Sequence, residues 1–424
     1  MKDKILGIIT EYNPFHNGHK YHIEKAKEIT GCNKVICVMS GDFVQRGEPA
    51  IIDKYFRTTV AINEGIDLLI ELPIEISTGS SEFFATGAIK LLNSLGIVDC
   101  LCFGSECGDL TTLSNIAHIL TDEPSEYTTL LQVNLRNGLS FPKAREKALS
   151  EYIGDEKISD LLSSPNNILG IEYLKAIEKT HSKIIPYTIK RLGMGYHDKL
   201  GDNSMPSASS IRDFLTNSDE LISNPLSGEI LNGMPPLMEL FILDNQYKAT
   251  PIELNDFSLI LRYKLLNETK ETLTKYLDVT EDIANKIYNN LNTFKSITDF
   301  IEILKSKDIT YSRLSRIFIH IILDIKSEKI EDITTPNYIR FLGFAKDSSN
   351  LLKEIKEKSS LPLLSKLSNT EKLSKKGKEQ LENNIKASNI YQSIVYNNFH
   401  IQYINEYNRQ IITDQKITDT IKSF

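Results

Sequence analysis

Two histidines flank a glycine near the head of the chain: His16-Asn17-Gly18-His19, inside EYNPFHNGHK (Glu11 to Lys20) and directly after the apolar run ILGIIT. His16 and His19, three apart, fall on one side of a helical turn. Gly18 would let the backbone approach a ligand with no side chain in the way. Free N–H groups at a helix start attract phosphate, and two imidazoles beside them can donate to phosphate oxygens. That set suits stabilising charge on a phosphate better than general-base work. A second stretch, SASSIR (Ser207 to Arg212), carries hydroxyls at a predicted helix start and a guanidinium fork that fits phosphate oxygens. Alone it reads as a helix cap; with the histidine loop it points to one anion held from two sides.

Other chemistries compete less well. A metal at His16, His19 and His22 lacks a nearby acidic ligand set. The five cysteines (Cys32, Cys37, Cys100, Cys102, Cys107) show no pairing at finger spacing, so buried thiols in a reducing compartment fit best. No resident metal is expected. The loop GDFVQRGEP offers Gln45 and Arg46, which could orient a carboxylate or a phosphate; its bland reading is an ordinary βα loop.

These residues need a scaffold, and the first half supplies the pattern for one. Ile5 to Thr10, Lys34 to Gly41, Asp67 to Pro73 and Asp99 to Glu106 are near-continuous apolar runs. Between them lie stretches with helical spacing, the first stopping on Gly31. Such alternation predicts a parallel sheet covered on both faces. Ligands of such sheets sit beyond the carboxyl ends of the strands, where the loop Glu11 to Lys20 belongs. Ser140 to Thr180 reads as helical with a turn at SSPNN, and Lys183 to Arg191 as a late strand. From about Pro235 the pattern predicts helices and no strand series, with a Pro- and Gly-bearing linker near Ser218 to Pro236. The expected organisation is residues 1–220 as a Rossmann-like α/β domain and 236–424 as an all-helical domain.

The 424 residues exceed one ordinary domain. Hydrophobic residues make up 41%, and 49 Lys plus Arg face 56 Asp plus Glu, a formal charge of −7. A generally basic nucleic-acid binder is therefore not expected, although a local basic face is compatible. No segment is apolar enough to span a membrane, so the chain is expected in the cytoplasm.

HNGH matches the His-x-Gly-His signature of the nucleotidyltransferase superfamily, and SASSIR resembles its Ser-Ser/Ala-Thr/Ser-x-x-Arg signature. EYNPFHNGHKYH, MSGDFVQRGEPA, FGSE, SPNNILGIEYLKA and YIRFLGF together resemble the bacterial tRNA(Met) cytidine acetate ligase family over most of the chain. The resemblance implies an ATP-dependent enzyme that activates acetate as acetyl-adenylate and acetylates the wobble cytidine of elongator tRNA(Met). It implies ATP contacts along Ile9, Thr10, Glu11, Tyr12, Asn13, Pro14, Phe15, His16, Asn17, Gly18, His19, Lys20, Tyr21 and His22, then at Gly104, Asn166 and Arg191. By the same resemblance His16 and His19 are catalytic, and Ser207, Ser209 and Arg212 hold the outer phosphates. ATP is the substrate, with Mg2+ as the companion a triphosphate can bring. For tRNA, Arg313, Arg316 and Arg340 beside Tyr311 and Tyr338 suit a backbone and unstacked bases, as does the lysine-rich stretch Leu351 to Ala387. Helix packing and a solvated face are the bland readings of those residues. Two rivals share the motifs: a cofactor-forming adenylyltransferase acting on a phosphorylated small molecule, and a catalytically silent RNA-binding scaffold.

Overall fold

Alternation within each apolar run decides which side chain faces which layer. Along the second run, Ile36 and Val38 pack into one buried cluster while Val35, Cys37 and Met39 pack into another, the period-two pattern of a strand covered on both faces. The protein is seen here as a computed structural model that describes residues 3–191, 206–217, 227–245, 248–326, 333–364 and 366–413.

In chain order the first half comprises β1 (Ile5–Thr10), α1 (Asn17–Thr30), β2 (Lys34–Ser40), β3 (Phe43–Val44), β4 (Glu48–Pro49), α2 (Lys54–Asn63), β5 (Leu68–Leu72), α3 (Ile74–Ser77), α4 (Ser81–Ser94) and β6 (Cys100–Ser105). Five helices follow: α5 (Leu110–Asp122), α6 (Ser125–Arg136), α7 (Phe141–Ile153), α8 (Lys157–Ser163) and α9 (Pro165–Lys179). Then come β7 (Ile185–Lys190) and α10 (Ala208–Asn217). Helix ends are set locally. The Asp53 and Ser80 side chains cap α2 and α4, and Gly31, at φ 66°, ends α1 in the left-handed conformation a Cβ disfavours.

The second half holds α11 (Ser227–Asn232), α12 (Pro236–Asn245), α13 (Ser258–Leu266), α14 (Lys270–Leu273), α15 (Glu281–Asn290), α16 (Ile297–Leu304) and α17 (Tyr311–Leu323). It continues with β8 (Ile339–Phe344), α18 (Ser349–Lys358), β9 (Leu363–Leu364), α19 (Lys375–Phe399) and β10 (Ile412–Thr413).

The sheet runs β10-β8-β5-β2-β1-β6-β7, with β9 beside β8; every pairing is parallel except β5 with β8. The chain winds outward through β1, β2 and β5, then returns to lay β6 and β7 on the other side of β1. The β1/β6 junction is thus the point where strand order reverses, and the crevice above its carboxyl ends is the natural ligand site.

The helical expectation for the second half holds for most of its length, but three of its segments, β8, β9 and β10, join the sheet. YIRFLGF contributes a true strand, β8, to the sheet. Arg340 hides it in the sequence, because a guanidinium breaks the apolar run. The strand is buried nonetheless, since Arg340 Nη1 donates to Glu71 Oε2 (2.6 Å) and Nη2 to Glu406 Oε1 (2.5 Å). The expected linker is partly structured as well: Ile230 and Met234 are buried, and its stretch 218–226 lies outside the described residues. GDFVQRGEP is a small hairpin, β3 against β4, turning at Gly47 (φ 77°).

Candidate active site

β1 ends at Thr10, and the loop that follows folds back as the cap of α1. His16 is the cap residue: its Nδ1 accepts from Gly18 N–H (3.0 Å), while its own N–H donates to His19 Nδ1 (3.2 Å). Both Nδ1 atoms are therefore acceptors, which leaves each neutral ring its proton on Nε2. The rings lie 3.8 Å apart. Burial holds the His16 imidazole down to about 3, with Arg191 and Arg212 adding to the effect. Burial, His16 and Arg191 push His19 well below the usual range as well. The pair is neutral and offers two Nε2–H donors, the form suited to an incoming anion. Gly18 has a sharper role than backbone access: a Cβ there would sit 2.8 Å from His16 Cε1, so glycine is what lets the ring fold over its own helix start.

The serine-arginine turn arrives at the same loop. Arg212 Nη1 donates to the Asn13 carbonyl (2.8 Å) and Nη2 to Ser209 Oγ (3.3 Å). Ser207 Oγ caps α10 by accepting Ser210 N–H (3.1 Å). Ile211 packs in the cluster that holds Tyr12 and Phe15. Residues 199 positions apart thus share one contact at the carboxyl edge of β1.

The far side of the crevice is built from β6 and β7. A Cβ on Gly104 would lie 3.2 Å from Arg191 Cγ, so the bare strand end lets the arginine lie across it. Asn166, at the start of α9, donates from Nδ2 to Glu106 Oε1 (2.6 Å), which fixes it just past the end of β6. Glu11 accepts Gln45 N–H (2.8 Å), tying the β3–β4 hairpin to the loop; burial raises this carboxyl against the pull of Arg212 and Arg46.

Not every expected residue points inward. Lys20 reaches Glu64 (2.9 Å), Ile9 packs against the core between the sheet and α4, and Tyr21 packs against the opposite core. Of the three arginines expected to meet tRNA, Arg340 is buried in the ion cluster described above and offers no face to a ligand. Arg313 is held by Asp278 (2.7 Å). Arg316 packs behind Gly47, where a Cβ would lie 2.2 Å from its backbone nitrogen. Arg340 thus serves internal packing, in the strand β8 rather than in a helix, and the Arg316 backbone on α17 lies against the hairpin. Tyr338 is likewise buried, and most lysines of 351–387 are exposed on α18 and the start of α19.

Sequence reasoning missed two supports. Arg57 of α2, fully buried, donates from Nε to Ile52 O (3.0 Å), from Nη1 to Glu11 O (2.5 Å) and Ser40 O (3.2 Å), and from Nη2 to Gly41 O. It stitches the carboxyl ends of β1 and β2 together from below. No apolar pattern in KYFRTTVAIN set it apart, since Lys54, Thr58 and Thr59 of the same helix are polar and buried too. The second support is Gly233, whose carbonyl accepts Asn17 N–H (2.8 Å) and whose missing Cβ leaves room for Pro206.

A family model described as HIGH nucleotidyltransferase matches residues 3–406. The chain is 44% identical over 398 residues to the tRNA(Met) cytidine acetate ligase of Caldanaerobacter subterraneus subsp. tengcongensis, covering 93% of this chain and 96% of that one. The corresponding ligase of Thermoanaerobacter sp. is 45% identical over 400 residues, covering 94% and 96%. The chain belongs to the tRNA(Met) cytidine acetate ligase family of HIGH nucleotidyltransferases. The crystal structure of Thermotoga maritima TmcAL bound with alpha-thio ATP superposes with a TM-score of 0.84 at 30% identity, over 96% of this chain and 97% of that one. Membership in this ligase family accounts for both motifs and for the second half, whose strands complete the sheet. Among the described residues no helix is long and apolar enough to cross a membrane.

Proposed function

We propose that this chain is a tRNA(Met) cytidine acetate ligase that uses ATP, entering as its Mg2+ complex, and acetate. The triphosphate lies over the β1/β6 crevice. Its outer phosphates meet Arg212, Ser209 and the start of α10, and Arg191 lies across the β6 end. An acetate oxygen attacks the α-phosphorus and pyrophosphate leaves with the bonding electrons. The exocyclic amine of the wobble cytidine then attacks the acyl carbon; AMP departs and the amine gives up a proton. No protein nucleophile is needed. The chain supplies positioning and donors aimed at developing charge. The observation that carries the reading is the 2.8 Å contact of Arg212 with the Asn13 carbonyl, which joins the two motifs at one strand end.

The test is direct. Protein, ATP, labelled acetate and elongator tRNA(Met) are expected to give N4-acetylcytidine. Folded protein that leaves the RNA unlabelled would overturn the assignment. A narrower expectation concerns Arg212→Ala. ATP affinity should fall roughly tenfold to a hundredfold, the worth of a charge-assisted hydrogen bond of about 1.5–3 kcal/mol. Titration calorimetry with a non-hydrolysable ATP analogue reads it, and an unchanged Kd would remove Arg212 from the phosphate site.

A further inference from the structure

A net charge of −7 means that RNA must be met locally, and of the arginines first suspected Arg340 is buried and Arg313 is paired with Asp278. The lysines of α18 do not replace them. Lys358 packs beside Gly96, before β6 begins, which puts that end of α18 at the amino edge of the sheet. The reacting adenylate sits at the carboxyl edge. A base that must reach it needs contacts on that rim.

The helical insertion between β6 and β7 supplies them. α5 starts beyond the carboxyl end of β6 and runs away from it. α6 is 12 residues long, about 18 Å at helical rise, and packs on α7. The turn between them stands at the carboxyl rim, because Lys307, shortly before α17, donates to its Gly138 carbonyl. Across the crevice, the segment before α17 lies at the same level, because Ser315 Oγ donates to the Gly47 carbonyl of the β3–β4 hairpin (2.7 Å). An exposed contact joins the two walls, Lys307 Nζ to the Gly138 carbonyl (3.0 Å).

The turn is built unlike a packing surface. From Gln132 to Ala144 it carries Arg136 and Lys143 and no acidic residue. Both cations are exposed, and among the described residues neither makes an ion pair. Phe141, at the first position of α7, is 57% exposed. An aromatic face between cations is what an unstacked base and its flanking phosphates require. A protein partner would favour a broader apolar patch with complementary acids and bases. Lys307 completes the set: an ammonium on a carbonyl can exchange it for a phosphate oxygen without loss of charge pairing.

We propose that the α6–α7 turn, with Phe141 flanked by Arg136 and Lys143 and faced by Lys307, grips the single-stranded loop of the tRNA whose cytidine enters the crevice. The inference rests on the ligase reading above. Phe141 stacks on a base beside the target, and the three cations hold phosphates on either side of it. The arch closed by Lys307 opens to admit the loop.

The experiment uses the full-length chain, an elongator tRNA(Met) transcript, Phe141→Ala, the pair Arg136→Ala/Lys143→Ala, and Lys307→Ala. All four sites lie at the surface, so melting temperatures check that folding is kept. Acetate-dependent ATP–pyrophosphate exchange, run without RNA, should match wild type in every variant. The KM for tRNA should rise about tenfold or more for Phe141→Ala, as loss of one stacked base predicts. The double variant should lower the salt slope of tRNA binding by about two, one per phosphate contact. A tRNA KM within twofold of wild type for Phe141→Ala, with a salt slope unchanged in the double variant, would overturn the inference. Filter retention of tRNA is read separately. Exchange missing in the wild type would sink the ligase reading, while retention would still decide the surface.

Discussion

His16→Ala and His19→Ala are each expected to cut adenylation by ~10²-fold or more while the fold persists, the usual loss on removing a preorganised donor from a site of developing charge. The reasoning is geometric. Each Nδ1 is occupied by a backbone N–H, so the only proton a neutral ring can offer is on Nε2. The Gly18 N–H and the His16 N–H lock the two rings before substrate arrives, so little reorganisation remains for the reaction to drive. Acetate-dependent pyrophosphate exchange reads the loss, and circular dichroism reads the fold. Near-normal exchange in either variant would take that ring away from the chemistry. Neutral rings also set a stability sign. Burial holds His16 at about 3 and His22 at about 4, whereas both take a proton near 6.5 when unfolded. The unfolded chain therefore binds more protons in acid, and stability falls as pH drops from 6.5 towards 3. A His22→Gln variant should show a shallower fall in melting temperature over that window.

Why were some parts readable from sequence and others not? The strands β1, β2, β5 and β6 announced themselves because burial on both faces leaves a near-continuous apolar run, which Glu71 breaks near the end of β5. The place of the histidine loop, between the end of β1 and the start of α1, was legible because it directly follows an apolar run and opens a helical pattern. Its inner logic was not: that Gly18 makes room for the His16 ring is a contact between residues two apart, set by a rotamer. β8 stayed hidden because Arg340 reads as surface unless its partners are known, and Glu71 and Glu406 lie 269 and 66 residues away. The same blindness made Arg340 look like an RNA contact. A basic residue in a helical or strand pattern carries no mark of whether a carboxylate waits inside. Arg57 failed to register for a related reason. Its acceptors are carbonyls, which every residue has, so no pairing pattern exists to find.

Arg340→Ala tests the other large effect, on stability rather than turnover. Its guanidinium donates to Glu71, Glu406 and the Tyr55 hydroxyl (3.0 Å), and Lys54 Nζ reaches Glu71 Oε1 and Glu406 Oε1 at 2.6 Å each and also bonds Ser388 Oγ (2.6 Å). The cluster binds α2, β5, β8, α19 and the chain near Glu406, so it joins both halves. Although burial pushes the Glu406 carboxyl up, Lys54 and Arg340 hold it down to about 2. Removing Arg340 leaves two buried carboxylates to share one lysine. Breaking one partner of a buried ion cluster costs about 3–5 kcal/mol, because the remaining charge stays desolvated. Denaturant unfolding should show that loss. A conservative Arg340→Lys restores charge but not the fork, and should recover only part of it. The pH dependence carries the opposite arm of the argument. A carboxyl depressed on folding contributes stability above its unfolded value near 4.5, and that contribution is lost as pH falls towards 2. Wild type and Arg340→Ala should therefore converge in stability in that acid range. A variant as stable as wild type at neutral pH would mean that the sheet holds β8 without its ions, and that the two halves are joined by apolar packing alone.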